Sequence, residues 1–392
     1  MNSAPRMAAF YSLMFAGTGV ALPFAGLWFG ERGLSGAEIG VIFAVPMLAR
    51  LVTGPLVALW ADSFRLRRTP IMVLAAAATA AYAALAFSQG FAVQLILWFV
   101  AASCAGAIIP LADVLTMKRA GKEGFNFGWP RGAGSLAFIV ANVAMGALLV
   151  KAPVDAVMVW VVAATALVAL AAAFLPPAEP VHEAGPVSRA DRFRGLGRLV
   201  ADPIFMTAIV AVGLIQAAHA FYYGFSTLTW KAEGIPESLT GLLWATGVAA
   251  EIVFMWFLEP WRRKVGPWAL LMLGGGAAVV RWTAMAFAPP LALLWPLQLL
   301  HALTFAASFL AGLQILERLA PPESASAAQV LSSALSAGVL IGLATVFSGP
   351  LFDAYGALGY LSMAVLALLG LLAGWRLRPA LVQSPSNRAV DR

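Results

Sequence analysis

The sequence predicts an all-α integral membrane protein, twelve transmembrane helices arranged as two pseudo-symmetric six-helix bundles. Three observations predict it. Hydrophobic residues make up 61% of the 392 and charged residues 11%, with a mean hydropathy of +0.87, a balance outside that of soluble domains. Apolar runs of about 20 residues, the length that crosses the hydrocarbon core, can be placed twelve times. The chain also repeats itself. Leu27 to Leu51 (LWFGERGLSGAEIGVIFAVPMLARL) and Leu228 to Ile252 (LTWKAEGIPESLTGLLWATGVAAEI) align at one constant offset. Gly33 falls on Gly234, Gly40 on Gly241, Ala44 on Ala245, Ala49 on Ala250 and Arg50 on Glu251. A duplicated membrane unit with a mid-helix charge in each copy is the usual plan of a secondary transporter.

Span 1, Ala8 to Phe29, is longer than the apolar core of a signal peptide and has no convincing cleavage site after it, so it reads as a membrane span. Spans 2 to 6 follow at Ile39 to Trp60, Pro70 to Phe87, Phe91 to Leu115, Gly128 to Leu149 and Ala156 to Phe174. Spans 7 to 12 run Ile204 to Thr229, Thr240 to Leu258, Ala269 to Phe287, Leu291 to Ile315, Ala328 to Leu351 and Gly359 to Leu377. Basic residues gather after the even-numbered spans, as in Arg65, Arg67 and Arg68, or Arg262, Arg263 and Lys264, against Arg32, Lys151 and Lys231 on the other side. The positive-inside rule then makes both termini cytoplasmic, in a multi-pass protein of a bacterial inner membrane.

The organisation expected is an N-terminal bundle over 1–175, a cytoplasmic linker over 176–202, a C-terminal bundle over 203–379 and a tail over 380–392. Pro176, Pro177, Pro180 and Pro186 bar a continuous helix early in the linker. Phe193, Leu196 and Leu199 recur at helical spacing among arginines, which fits either a short interfacial helix or a disordered basic loop.

A net charge of +7 and a sequence pI near 9.9 could suggest nucleic acid, but the positive residues lie in short loops between apolar runs, so no nucleic-acid partner is expected. The single cysteine, Cys104, excludes an intramolecular disulfide and a cysteine-cluster metal site. No HExxH pair or suggestive Ser-His-Asp arrangement is present, so neither an enzyme nor a metal centre is expected.

Arg50, Asp113, Arg131, Glu251 and Arg281 are the formal charges inside or at the ends of spans, away from the loop clusters, and His219 and His301 join them. An ionised side chain at mid-bilayer costs roughly 2.5 to 3.5 kcal/mol, so each marks either a structural ion pair or a functional site. Arg131, Ser135, Phe138 and Asn142 recur at i, i+4, i+7 and i+11 and share a helix face. Gln216, His219, Tyr222 and Tyr223 form a comparable stripe in span 7, and Gln298 and His301 lie one turn apart in span 10. Such stripes are often helix contacts, while the aromatic content suits a site that stacks on a flat solute.

These residues resemble the major facilitator superfamily. GPLVALWADSFRLRR after span 2 is similar to its first cytoplasmic loop signature, with Asp62, Arg67 and Arg68 in place as gating residues, Ala58 standing where glycine is usual and Ser63 where a basic residue is usual. DVLTMKRAGKEGFNFGWPRGAGS (Asp113 to Ser135) resembles the lactose permease branch of proton symporters, in which a carboxylate in span 4 and an arginine in span 5 bind substrate, the positions of Asp113 and Arg131. HAFYYGFSTLTW, GLLWATGVAAEI, VRW and LQLLHALTF look like the 3-phenylpropionate permease group of that branch. Glu251, Arg281 and His301 match the branch's C-terminal carboxylate, arginine and histidine, whereas Thr304 stands where the lactose permease carries its proton on a glutamate.

The resemblance implies a monomeric, proton-driven importer of a small organic solute without a bound cofactor, working by alternating access in the lipid bilayer. Arg50, Arg131 and Arg281 outnumber Asp113 and Glu251, so an aromatic or other organic carboxylate would balance the charge. Arg131 with Asp113, together with Ser135, Phe138, Tyr222, Tyr223 and Arg281, is expected to bind it. Glu251, His219, His301 and Asp113 are the candidates for proton coupling. The alternatives are a neutral sugar or nucleoside symporter, a membrane sensor and a membrane enzyme.

Overall fold

The computed structural model describes residues 3–176, 196–321 and 324–382, so most of the expected linker and the tail after residue 382 lie outside the described residues. Among the described residues the secondary structure is helical throughout, with no strand. The first six helices are α1 (Ala4–Glu31), α2 (Gly36–Ala61), α3 (Arg68–Phe87), α4 (Phe91–Glu123), α5 (Gly128–Leu149) and α6 (Ala156–Ala173). Then come α7 (Leu196–Ala201), α8 (Pro203–Ala217), α9 (Ala220–Ala232), α10 (Glu237–Phe257), α11 (Glu259–Val265) and α12 (Pro267–Ala286). Finally come α13 (Leu291–Leu299), α14 (Ser308–Leu319), α15 (Ala325–Ser332), α16 (Ile341–Tyr355), α17 (Tyr360–Arg376) and α18 (Arg378–Val382).

Local chemistry sets the ends. Ser35 and Glu38 form a reciprocal capping box at the start of α2, and the Asp202 carboxylate accepts the Ile204 and Phe205 N–H groups ahead of Pro203 at the start of α8. Gly124 closes α4 at φ +75°, a backbone state that a side chain resists.

Eleven helical stretches among the described residues are long and apolar enough to cross a bilayer, and the last of them, Ala327–Arg376, runs for 50 residues. A straight helix of that length would be about 75 Å long, more than twice the hydrocarbon thickness. Gly356, at φ +55°, opens a short 3-10 turn over Gly356–Gly359 that ends α16 and begins α17, so this stretch supplies two spans.

Two other helices are interrupted. α8 and α9 part at Ala218 and His219, and a π-helical turn over Ala302–Ala307 separates α13 from α14 after Pro296. A second π segment, Ser333–Leu340, leads into α16. Such widened turns cluster at functional positions.

By packing the chain forms two units whose limits cut through helices. The first comprises Met1–Gly185, Tyr223–Ala245 and Val346–Ala354, and the second Pro186–Tyr222, Thr246–Thr345 and Tyr355–Arg392. In the first unit Met7, Phe10, Ile71, Leu74, Ile108, Leu115 and Val168 build the core. The ends of α9, α10 and α16 join this unit through close backbone contacts. A Cβ on Gly241 would meet the Asn142 carbonyl, and one on Gly349 would meet Gly36, so both approaches need glycine. Asp353 on α16 accepts the Gly36 and Ala37 N–H groups at 2.7 and 2.8 Å, placing a carboxylate on the positive end of α2. Lys231 pairs with Glu31 at 2.6 Å.

In the second unit Ala211, Ile215, Phe254, Leu270, Leu271, Ala311 and Ile315 form the main core. Leu199 of α7 is buried beside Phe205, Ile209 and Leu316, so this short helix packs against protein as well as following the linker. Large apolar side chains such as Ile96, Leu136, Val159, Val253 and Val280 remain exposed, as lipid-facing surfaces require.

Candidate functional site

Each unit holds its own polar cluster. In the first, Asp113 of α4, Arg131 of α5 and Tyr11 of α1 converge. The Tyr11 hydroxyl donates to Asp113 Oδ1 at 2.6 Å and also reaches Thr116 Oγ1 at 3.2 Å. Arg131 Nε stands 3.6 Å from the same Asp113 oxygen, an ion pair too long for a hydrogen bond. Its guanidinium lies over the Phe15 ring at 4.5 Å and near that of Tyr11 at 5.4 Å. The Arg131 side chain is 33% exposed, so its donor fork remains open to a planar anion.

The rest of the expected stripe on α5 divides. Ser135 is half-buried, but Phe138 and Asn142 are buried. Asn142 Nδ2 donates to the Phe138 carbonyl at 2.9 Å, and its own carbonyl packs on Gly241. Phe138 and Asn142 are thus helix contacts, and Arg131 is a part of the stripe that stays partly exposed. Tyr222 and Tyr223 also separate. Successive helix residues point about 100° apart, and Tyr223 pairs with Trp244 in the first unit whereas Tyr222 belongs to the second.

In the second unit Arg281 of α12 is 0% exposed and sits at the centre of a hydrogen-bond network. Its Nη1 reaches His301 Nδ1 at 2.7 Å and Thr304 Oγ1 at 3.1 Å, and its Nη2 donates to Gln298 Oε1 at 2.8 Å. The Tyr222 hydroxyl donates to the same Gln298 oxygen at 3.0 Å, and the Tyr222 ring lies 4.8 Å from the guanidinium. The other nitrogen of His301, Nε2, meets Glu251 Oε1 at 2.9 Å.

Hydrogen-bond roles fix the protons in this chain. Arginine only donates, so His301 Nδ1 is an acceptor, its proton lies on Nε2, and that proton points at Glu251. The imidazole therefore connects Arg281 to Glu251 as a neutral bridge. The same logic applies to His219, whose Nδ1 stands 3.0 Å from the Gln216 carbonyl and donates to it. Its Nε2 then accepts the Thr304 hydroxyl at 3.0 Å.

The two helix interruptions meet here. Gln216 Nε2 donates to the Phe305 carbonyl at 3.1 Å and to Ser308 Oγ at 2.8 Å, tying the end of α8 to the π turn. A Cβ built on Gly247 of α10 would lie 3.4 Å from His301, ordinary van der Waals contact, so α10 passes the imidazole closely without requiring glycine there.

Arg50 is exposed on α2 and makes no ion pair among the described residues. Counted within the two clusters, one carboxylate therefore stands beside one guanidinium in each. Asp62 closes α2, and Arg68 donates to the Ala173 and Leu175 carbonyls at 3.0 and 3.3 Å, capping α6. Tyr11, Phe15 and Thr116 did not stand out from the sequence. Apolar or hydroxylated residues in an apolar span carry no periodic mark, though a tyrosine in span 1 was one available signal.

The sequence profile described as "MFS_1 like family" matches residues 5–361. The chain is 27% identical to the "Probable 3-phenylpropionic acid transporter" of Escherichia coli (strain K12), over 98% of this chain and 99% of that one. It is 28% identical to the "Maltose permease" of Geobacillus stearothermophilus, over 93% and 91% respectively. Its fold matches the crystal structure of the nucleoside transporter NupG with a TM-score of 0.83 at 16% identity, covering 96% of this chain and 99% of that one. A bacterial homologue of the human lysosomal transporter Spinster matches with a TM-score of 0.77 at 14% identity, covering 98% of each. At those identities the structures establish the fold, the major facilitator arrangement of membrane-spanning helices.

Proposed function

Because the chain belongs to the MFS_1 like family and is thus a multi-pass secondary transporter of the major facilitator superfamily, we propose that it imports a small organic monocarboxylate together with one proton. The observation that carries this reading is the one-to-one charge match within each cluster, Asp113 with Arg131 and Glu251 with Arg281. Summed over both clusters, a proton added to Glu251 leaves a charge of +1, and a carboxylate anion held at Arg131 brings the sum back to zero. Proton and monoanion then enter as an electrically neutral pair.

Arg131 is the cation for the substrate. Its fork is only loosely held by Asp113, while every donor direction described for Arg281 Nη1 and Nη2 meets an acceptor of the protein. Phe15, stacked under Arg131, supplies a flat apolar surface for an aromatic substituent. The E. coli relative, whose name specifies 3-phenylpropionic acid, supports this substrate class. Glu251 is the proton carrier and His301 the bridge through which its charge reaches Arg281. The basic loops support a cytoplasmic placement of both termini in a bacterial inner membrane, and the protein acts as a monomer.

The test is uptake of labelled 3-phenylpropionate into proteoliposomes under an inward proton gradient. Accumulation is expected, and clamping the membrane potential with potassium and valinomycin is expected to leave its extent unchanged. A second reading, symport of a neutral sugar, draws on the maltose permease similarity. It requires net movement of positive charge, so uptake would rise with an inside-negative potential, and maltose rather than the aromatic acid would compete.

A further inference from the structure

The junction between α10 and α11 carries a third cluster, separate from Glu251, Arg281 and Arg131. A cavity of about 410 Å³ opens there, lined by Glu259, Arg262, Arg263, Gln314 and Arg318. Gln314 and Arg318 are one turn apart on α14 and share a face. The site is built rather than a loose basic tail. Arg262 Nη2 donates to the Met255 carbonyl at 2.6 Å, and the guanidinium lies 5.6 Å from the Phe254 ring, which fixes its position at the end of α10.

The acidic member does not neutralise the site. Glu259 Oε1 accepts both Arg263 Nε at 3.0 Å and Arg263 Nη2 at 2.6 Å, so it is committed to one arginine. Arg262 Nε is buried without an acceptor among the described residues, and Arg318 has no ion pair among them. Three guanidiniums against one carboxylate leave the lining with a charge of +2. A buried donor without an acceptor is costly, and oxygens of an anion in the cavity would meet it.

What surrounds the cavity names the source of that anion. Trp256 is 62% exposed, Phe257 70% and Trp261 41%, all adjoining the basic residues. Exposed tryptophans beside arginines at the end of a membrane span mark the depth of lipid headgroups. A soluble anion would not need that apolar rim, whereas acyl chains would lie along it. We propose that this cavity binds the phosphate of an anionic phospholipid, with Arg262 and Arg318 on the phosphate oxygens and Trp256 and Phe257 against the chains.

The test uses purified, delipidated full-length protein with equal amounts of phosphatidylglycerol and phosphatidylcholine, read by native mass spectrometry. Phosphatidylglycerol adducts are expected to exceed phosphatidylcholine adducts, and a large excess of inorganic phosphate is expected to leave them in place. Arg318→Gln should weaken phosphatidylglycerol binding about fivefold, and the double variant with Arg262→Gln about 25-fold. Glu259→Gln leaves the three arginines in place while removing the competing carboxylate, so it should strengthen binding even if the double variant fails to fold. Equal retention of the two lipids, displacement of phosphatidylglycerol by inorganic phosphate, or an unchanged Glu259→Gln variant would each overturn the assignment.

Discussion

Glu251→Gln is the most informative single change. It preserves the length of the side chain and an oxygen that can accept from His301 Nε2, and it removes the charge that His301 relays to Arg281. Taking away one member of a buried ion pair costs about 3 to 5 kcal/mol. Arg281 keeps three neutral acceptors, His301, Thr304 and Gln298, so the loss should lie at the lower end, about 3 kcal/mol. The variant should therefore fold with a reduced Tm. Its transport should change in kind. One-for-one coupling across about two pH units sustains roughly 100-fold accumulation, equivalent to about 2.7 kcal/mol. In the variant the accumulation ratio should fall to about 1, with substrate exchange between preloaded vesicles and medium continuing. Accumulation above about tenfold under the same gradient would refute Glu251 as the proton carrier.

Arg131→Lys retains the charge but loses the planar fork and its stacking on Phe15, so KM for the carboxylate should rise about 10- to 100-fold, the equivalent of losing one charge-assisted hydrogen bond; an unchanged KM would move the substrate elsewhere. Gly241→Val drives a side chain into the Asn142 carbonyl and should cost about 1 to 3 kcal/mol of packing between α5 and α10. A thermal-shift assay in detergent should then give a lower Tm, and an unchanged Tm would show that α5 and α10 tolerate the intrusion. Glu233, half-buried in the connection between α9 and α10, has its carboxyl pushed up to about 7 by desolvation. A carboxyl raised in the folded state favours the fold below its ordinary value near 4.5 and loses that contribution as pH climbs through about 7. Glu233→Gln should accordingly raise Tm at pH 8 and leave it nearly unchanged at pH 4, as followed by a thermal-shift assay in detergent.

The membrane spans were legible because hydrophobic length is a one-dimensional property. The Asp113 and Arg131 pairing was legible through the resemblance to the lactose permease branch, and the two side chains stand 3.6 Å apart. The repeat gave Gly241 a twin in Gly40, yet only a three-dimensional contact shows that Gly241 must clear the Asn142 carbonyl. Arg50 and Glu251 occupy equivalent positions in the repeat and meet different fates, one exposed on α2 and the other joined to His301. Periodicity reports a face, not what that face meets. For that reason Phe138 and Asn142 looked like continuations of Arg131, and Tyr222 looked like a companion of Tyr223. The interruptions of α8–α9 and α13–α14 were illegible for a different reason. No residue type announces a π turn, and its support by Gln216 spans helices that are remote in sequence.

That widened turn limits how the gene can vary. Elsewhere in a lipid-facing helix, loss of one residue can be absorbed by rotation and a small slide along the bilayer normal. Between Pro296 and Ser308 the residue count itself holds the imidazole of His301 toward the guanidinium of Arg281 while Gln216 grips the following carbonyl. Deleting a single codon in that interval would restore ordinary helical winding and swing one of these two attachments out of register, so outside Gln298, His301, Thr304 and Ser308 substitutions there are far more tolerable than changes in length.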